Sequence, residues 1–319
     1  MRKQKVIGFI LLLFSAVLIS FVVVKNSKNS APTPEVIIIP KVDSFQILIN
    51  EYCQIVKLNK TNSVEKSENE MALKSILAKL KSYSDIITGS KTIVFNGVKY
   101  NLFLANMDSD QIRLHLLRPK YKSSLGNVKS HLEAQKIKPL MITNAGMFTA
   151  TFEPEGLYME ENPLKKYSLD VGDQKSSFNF YLYPNGVFYI DNKNMPHIDT
   201  TREFARLQKL KKTKVKLATQ SGPMLVINGR IHPAFVKGST NYKIRSGVGI
   251  VNSKKVVFAC TLDGSNFYDF AIFMKDIFNC KNALFLDGAI SKMYLHDIYK
   301  EETGGQFGPV ISVSRKGRK

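Results

Sequence analysis

The sequence predicts an α+β protein: a mixed β-sheet core with flanking helices, preceded by an N-terminal transmembrane helix. Three observations carry that expectation. Short apolar runs that alternate with polar residues, or stop at Gly and Pro turns, recur through residues 91–319 and are strand patterning. Other segments carry apolar residues at three- and four-residue spacing, which is helix patterning. An uncharged apolar run, Val6 to Val24, follows a basic lead and is about long enough to cross a bilayer.

The lead, Met1-Arg2-Lys3-Gln4-Lys5, outweighs Lys25 and Lys28 behind the run once the amino terminus is counted. That bias puts the N-terminus in the cytoplasm and the rest of the chain on the extracytoplasmic side. No small-x-small cleavage site follows directly, so residues 1–25 read as a retained anchor or uncleaved signal. Residues 26–41 mix Asn, Ser, Lys and Pro and read as a linker. Residues 42–90 read as a helical appendage, with one helix over Val42 to Leu58 and another over Met71 to Leu80 through Leu73, Ile76, Leu77 and Leu80.

The remaining domain, residues 91–319, opens with Ile93-Val94-Phe95, Asn96-Gly97, then Val98, Tyr100, Leu102 and Leu104, a hairpin signature. Ile112 to Leu116 alternates as a strand, Val128 to Ala134 is helical, and Leu140 to Thr143 is a buried strand. His115 and His131 fall at structural positions. Asn179 to Tyr189 alternates aromatics about Pro184-Asn185-Gly186 and reads as a second hairpin. Ala218 to Ile227 is two strands broken at Gln220-Ser221-Gly222-Pro223. Ser265 or Asn266 caps a helix through Phe267, Phe270, Ala271, Met274 and Phe278, which feeds the strand Ala283 to Leu286, apolar on both faces.

Formal net charge is +20, with Lys and Arg scattered from end to end. Such a charge suits an anionic envelope or an anionic substrate, and no motif points to nucleic acid as a partner. Cys53, Cys260 and Cys280 have neither metal-ligand spacing nor the makings of a disulfide framework, so no metal or other cofactor is expected.

The candidate site residues lie where buried strands stop. Asp287 ends one such strand before Gly288, and Asn144 ends another before Ala145-Gly146. Gln220, Ser221 and Gly222 make a polar kink between apolar runs. Arg245, followed by Ser246, is the best anion fork, because a guanidinium pairs bidentately with phosphate or carboxylate. The plainer readings are an Asx turn for Asp287 and a surface ion pair for Arg245. Ser221 lacks the flanks of a nucleophile elbow.

In order along the chain, Asn144-Ala-Gly-Met-Phe, Pro154-Glu-Gly-Leu-Tyr, Asn179-Phe-Tyr, Gln220-Ser-Gly-Pro, Arg245-Ser-Gly-Val-Gly and Asp287-Gly-Ala-Ile-Ser resemble the phosphodiester glycosidase family, over roughly Ile93 to Val313. The resemblance implies hydrolysis of the sugar C1–O bond of a sugar-1-phosphodiester, leaving a phosphomonoester. Asp287 then takes the carboxylate role, as base for water or stabiliser of the cationic centre, with Glu155 a second carboxylate. Arg245 holds phosphate, and Asn144, Gln220, Ser221 and Ser291, with Gly222 and Ser246 beside them, hold sugar hydroxyls or phosphate oxygens. The sequence departs from the family pattern at Ala145 and Ala289, where glycine is usual. If those turns hold positive φ, each alanine costs about 1 kcal/mol or more. That cost favours the alternative, a non-catalytic envelope module that binds sugar-phosphate polymers. A metal-dependent phosphodiesterase would need clustered His and Asp, which the chain lacks.

Overall fold

The computed structural model describes residues 43–61, 66–117, 123–161, 167–172, 179–298 and 302–317. The expected transmembrane helix and linker lie outside them, and among the described residues no helix is long and apolar enough to cross a membrane.

The expected α+β architecture holds, and its sheet core divides into three sheets. The largest runs β1 (Gly89–Phe95), β2 (Val98–Asn106), β12 (Lys255–Thr261), β11 (Ser246–Asn252), β13 (Ala283–Asp287), β9 (Met224–Ile227), β10 (Arg230–Ile231). A second runs β14 (Met293–Leu295), β4 (Pro139–Asn144), β15 (Val310–Arg315), β3 (Asp110–His115), and a third β5 (Tyr158–Met159), β8 (Val215–Ser221), β6 (Gly186–Asp191), β7 (Pro196–Thr200). Every pairing among these strands is antiparallel. Asn96 and Gly97 both take positive φ, the geometry that lets a two-residue turn join β1 to β2.

The seven-stranded sheet is covered on both faces, which is why β12 and β13 read as continuous apolar runs. One face, through Tyr100, Val257 and Phe285, packs on α1 (Ser44–Thr61), α2 (Lys66–Ile86), α5 (Phe267–Ile272) and the π-helical turn Phe273–Ile277. The other, through Phe103, Val248, Phe258 and Leu284, packs on Met141, Ile311, Phe188 and Leu217 of the two smaller sheets. Outside these, α3 (Leu125–Ala134) packs Leu125, Val128 and Leu132 on Ile142 and Val310, and α4 (Thr201–Lys209) packs Phe204 on Tyr189 and Val187.

Two sequence expectations are corrected. The leading helices are not an appendage: Phe45, Ile49, Tyr52, Ile76 and Leu80 are buried in the same cluster as Phe95 and Phe273. Their apolar stripes need an apolar partner, and the open face of the sheet supplies it. Lys255 fastens this packing from β12, its Nζ donating to the carbonyls of Ser84 (3.2 Å), Ile87 (2.9 Å) and Asp85, where α2 leaves its last C=O groups unpaired. The expected hairpin about Pro184-Asn185-Gly186 is absent. Asn179–Tyr181 forms a 3₁₀ turn, and β6 begins at Gly186 and pairs with β7 and β8 instead. Gly186 is a packing glycine, since a Cβ there would come within 2.4 Å of the Met224 sulfur and 2.8 Å of the Asp199 carbonyl.

Candidate active site

One register row crosses five strands of the large sheet. Thr92 pairs with Asn101, Asn101 with Cys260, Cys260 with Ser246, and Ser246 with Asp287. The last pairing is reached through a β-bulge: Gly247 opposes Phe285, but Ser246 opposes Asp287, leaving Leu286 as the extra residue. A bulge bends a strand and re-aims its end, here at the residue the sequence singles out.

Above this end the second sheet brings Asn144 down from β4. Its Nδ2 donates to Ser246 Oγ at 2.9 Å and to Ser291 Oγ at 3.4 Å, and the two hydroxyls lie 2.8 Å apart. Ser291 returns to the row because residues 288–291 form a turn closed by the Ser291 N–H donating to the Gly288 carbonyl at 2.8 Å. Ser221, at the end of β8, donates to the Leu286 carbonyl at 2.9 Å. Asn144, Ser221, Ser246, Ser291 and the backbone of residues 286–287, drawn from three sheets, therefore meet in one place. Asn144 and Ser246 are fully buried and spend these bonds on each other, so they shape the site more than they face a ligand.

Asp287 is partly buried, and its Oδ1 accepts the Gly288 N–H at 2.6 Å. Burial raises its carboxyl from 3.8 to about 6, against the lowering effect of that N–H. The Asx-type contact and the perturbed acid coexist in one side chain.

Gln220 is the first correction among the site residues. Its Oε1 accepts the N–H groups of Leu157 (3.0 Å) and Asp170 (2.9 Å), while its Nε2 donates to the Asp170 carbonyl (2.7 Å) and Thr201 Oγ1 (3.1 Å). With all four capacities used and the side chain buried, it ties two loops and α4 to β8 rather than meeting a sugar. Gly156 makes this close approach possible, since a Cβ there would meet Gln220 Oε1 at 2.3 Å, while Gly222 lies against Asn185 and Phe180, where a Cβ would meet Asn185 Cβ at 2.6 Å and the Phe180 carbonyl at 2.8 Å. Glu155 sits apart from Asp287's hydrogen bonds, in a group the sequence did not disclose. The Tyr181 hydroxyl reaches both Glu155 Oε1 (3.2 Å) and Asp170 Oδ2 (3.3 Å), and burial with the two carboxylates pushes Tyr181 up to about 12.

Arg245 is the second correction. Strand alternation turns it to the opposite face from Ser246, where it is 2% exposed with its guanidinium 3.7 Å from the Phe267 ring. Nε donates to the Ser265 carbonyl at 2.6 Å and Nη2 to the Asn241 carbonyl at 2.9 Å, so the fork is committed to the backbone. Burial lowers its pKa to about 10. The cation beside the site is Lys292, missed from the sequence although it directly follows Ser291. Its N–H donates to Asn144 Oδ1 at 3.3 Å, and its Nζ is paired with Glu302 at 2.9 Å.

Neither alanine is strained: Ala145 and Ala289 are absent from the residues with positive φ, and Ala145 is buried in the core. The indispensable glycine is Gly146, where a Cβ would lie 2.1 Å from the Gln220 carbonyl. Among the described residues, no group of three His, Cys, Asp or Glu is placed to hold a metal ion.

The chain is similar to one curated protein and, more distantly, to solved structures. The uncharacterised protein YigE of Escherichia coli is 36% identical over 178 residues, which are 56% of this chain and 66% of that protein, just under two thirds of its length. The catalytic domain of zebrafish N-acetylglucosamine-1-phosphodiester α-N-acetylglucosaminidase, auto-inhibited by its pro-peptide, superposes with a TM-score of 0.47 at 14% identity, covering 70% of this chain and 81% of that one. A hypothetical protein from Synechocystis gives a TM-score of 0.46 at 12% identity, covering 71% of this chain and 61% of that one. Residues 138–314 match the family model for phosphodiester glycosidases, a span that takes in Asn144, Gln220, Arg245 and Asp287, and the chain belongs to the phosphodiester glycosidase family.

Proposed function

We propose that the protein hydrolyses the C1–O bond of a sugar-1-phosphodiester at the cell envelope, on the extracytoplasmic side, held there by the apolar segment Val6 to Val24. The observation that carries the reading is Asp287: a carboxyl raised to about 6, at the bulged end of a buried strand whose last carbonyl lies 3.5 Å from the Ser246 hydroxyl. A base works best when its pKa lies near the operating pH, and about 6 serves that purpose where an ordinary aspartate would not.

In the proposed reaction Asp287 takes a proton from water as the water oxygen bonds to C1. The C1–O electron pair leaves with the phosphate, which departs as a phosphomonoester and needs far less protonation than a sugar alkoxide. Lys292 takes over the role expected of Arg245 and faces the phosphate charge. Ser291 stands beside it as donor to sugar or phosphate oxygen, while Asn144 and Ser246 fix its hydroxyl. The alternative of an idle binding module drew on Ala145 and Ala289, and neither backbone position demands glycine.

Turnover of N-acetylglucosamine-1-phosphodiester substrates in oxygen-18 water tests the proposal. Label in the released sugar supports it. Label in the phosphate means P–O cleavage and overturns it, and binding without turnover returns the idle module.

A further inference from the structure

A cavity of about 450 Å³ opens beside Ser291, within the range of about 300–1,000 Å³ common to ligand pockets. Its floor is the same register row: Thr92, Asn101 and Cys260 line it, and the next residue of the row, Ser246, hydrogen-bonds Ser291 at its inner end. Its walls are apolar, from Ile244, Leu262, Met293, Ile298 and Ile290. Leu262 and Ile290 are 46% and 49% exposed, so the mouth presents hydrocarbon to solvent. The cation of this region is Lys292, which also lines the cavity, with Glu302 as its partner. Gly305 takes positive φ and lies under the Phe307 ring, which a Cβ there would meet at 2.2 Å, with the lysine stem 3.3 Å away.

A pocket with a cation at one end and apolar walls above a mixed floor fits an amphiphile whose charged group lies by Lys292 and Ser291. Resting on the glycosidase reading, we infer that this cavity receives the aglycone of the phosphodiester, and that the aglycone is an alkyl or isoprenoid-like hydrocarbon chain running from the phosphate at Lys292 and Ser291 toward Leu262 and Ile290. A small hydrophilic alcohol would leave the apolar walls wet and gain nothing from them. Each buried methylene, in contrast, adds to affinity.

Calorimetric binding of ethyl phosphate and octyl phosphate to the full chain, below the micelle concentration, isolates the cavity from the chemistry. Octyl phosphate is expected to bind at least about tenfold tighter, from a few of its added methylenes entering the trough. Leu262→Asp at the mouth is expected to remove that difference while the thermal melt holds, with Ile290→Asp as the second variant should the first fail to fold. Equal affinity for both phosphates, or an octyl preference that survives both variants, overturns the inference. Methyl and octyl esters of N-acetylglucosamine 1-phosphate separate the two proposals. Turnover without chain-length dependence defeats the cavity reading alone, whereas chain-length-dependent binding without turnover defeats the glycosidase reading alone.

Discussion

Asp287 stands opposite Ser246 across the β11–β13 pair, one residue out of the register that Phe285 and Gly247 keep. Without the bulge, Leu286 would take that position, and an apolar side chain would meet the hydroxyl pair of Ser246 and Ser291. The slip in pairing exchanges a ladder partner for an acid at the edge of the core.

Asp287→Asn keeps the acceptor for the Gly288 N–H and removes the charge. Hydrolysis is expected to fall at least about a hundredfold, since a positioned base contributes roughly two to four orders of magnitude. Thermal stability is expected to rise. The folded protein holds this proton up to about pH 6, while an unfolded aspartate releases it near 3.8, so stability falls as pH rises between those values. The variant escapes that loss, by on the order of 1–3 kcal/mol at pH 7 and by nothing at pH 3. Activity within a few-fold of wild type would remove Asp287 from the chemistry.

The pH profile follows from the same group. As a base, Asp287 acts ionised, so kcat/KM should rise with pH through about 6 and level off above it. A profile that falls through this region would make the carboxyl an acid instead.

Arg245→Lys tests the reassignment of the buried guanidinium. Lysine keeps the charge but loses the stack on Phe267 and at least one of the bonds to Ser265 and Asn241. Stability should drop by about 1–3 kcal/mol, with kcat/KM of the folded fraction held within about twofold. A large loss of kcat/KM at unchanged melting temperature would restore the phosphate role.

Lys292 and Glu302 should respond in opposite directions. Lys292→Met removes the cation and is expected to raise KM for a phosphodiester about ten- to a hundredfold, the cost of one charge-assisted bond. Glu302→Gln frees the ammonium from its 2.9 Å pair and should lower KM. Parallel changes in both variants would make the pair structural only.

Two neighbouring turns separate glycines that look alike in sequence. Gly146→Ala drives a methyl into the Gln220 carbonyl at 2.1 Å and should cost about 1–3 kcal/mol or more. Gly288→Ala meets only the Phe285 ring at 3.8 Å and should stay within about 0.5 kcal/mol. Urea denaturation of the two variants gives the comparison.

Local signals were legible where local physics decides. The Asn96-Gly97 turn, the Asn266 cap on α5 and the strand ending at Asp287 each depend on a few adjacent residues, and each is where the sequence places it. Expectations failed where a partner far along the chain decides. Gly186 looks like a turn glycine until Met224 and Asp199 close over it. Arg245 reads as a free fork until strand alternation turns it onto Phe267. Gln220 reads as a ligand contact until Leu157, Asp170 and Thr201 exhaust it. Lys292 and Tyr181 carried no distinguishing pattern, because their meaning comes from Glu302, and from Glu155 with Asp170.

The row from Thr92 to Asp287 bears on how this chain can diversify. Each of its members is held by pairing on a different strand, so deleting one residue within β1, β2, β12 or β11 would flip every later side chain of that strand to the other face. Loops at the strand ends carry no such penalty. Descendants of this sequence can therefore vary the length of loops that carry no site residue, whereas the strands, and the 288–291 turn that sets Ser291, change only by substitution, so new ligand preferences arise by exchanging side chains on a floor of fixed length.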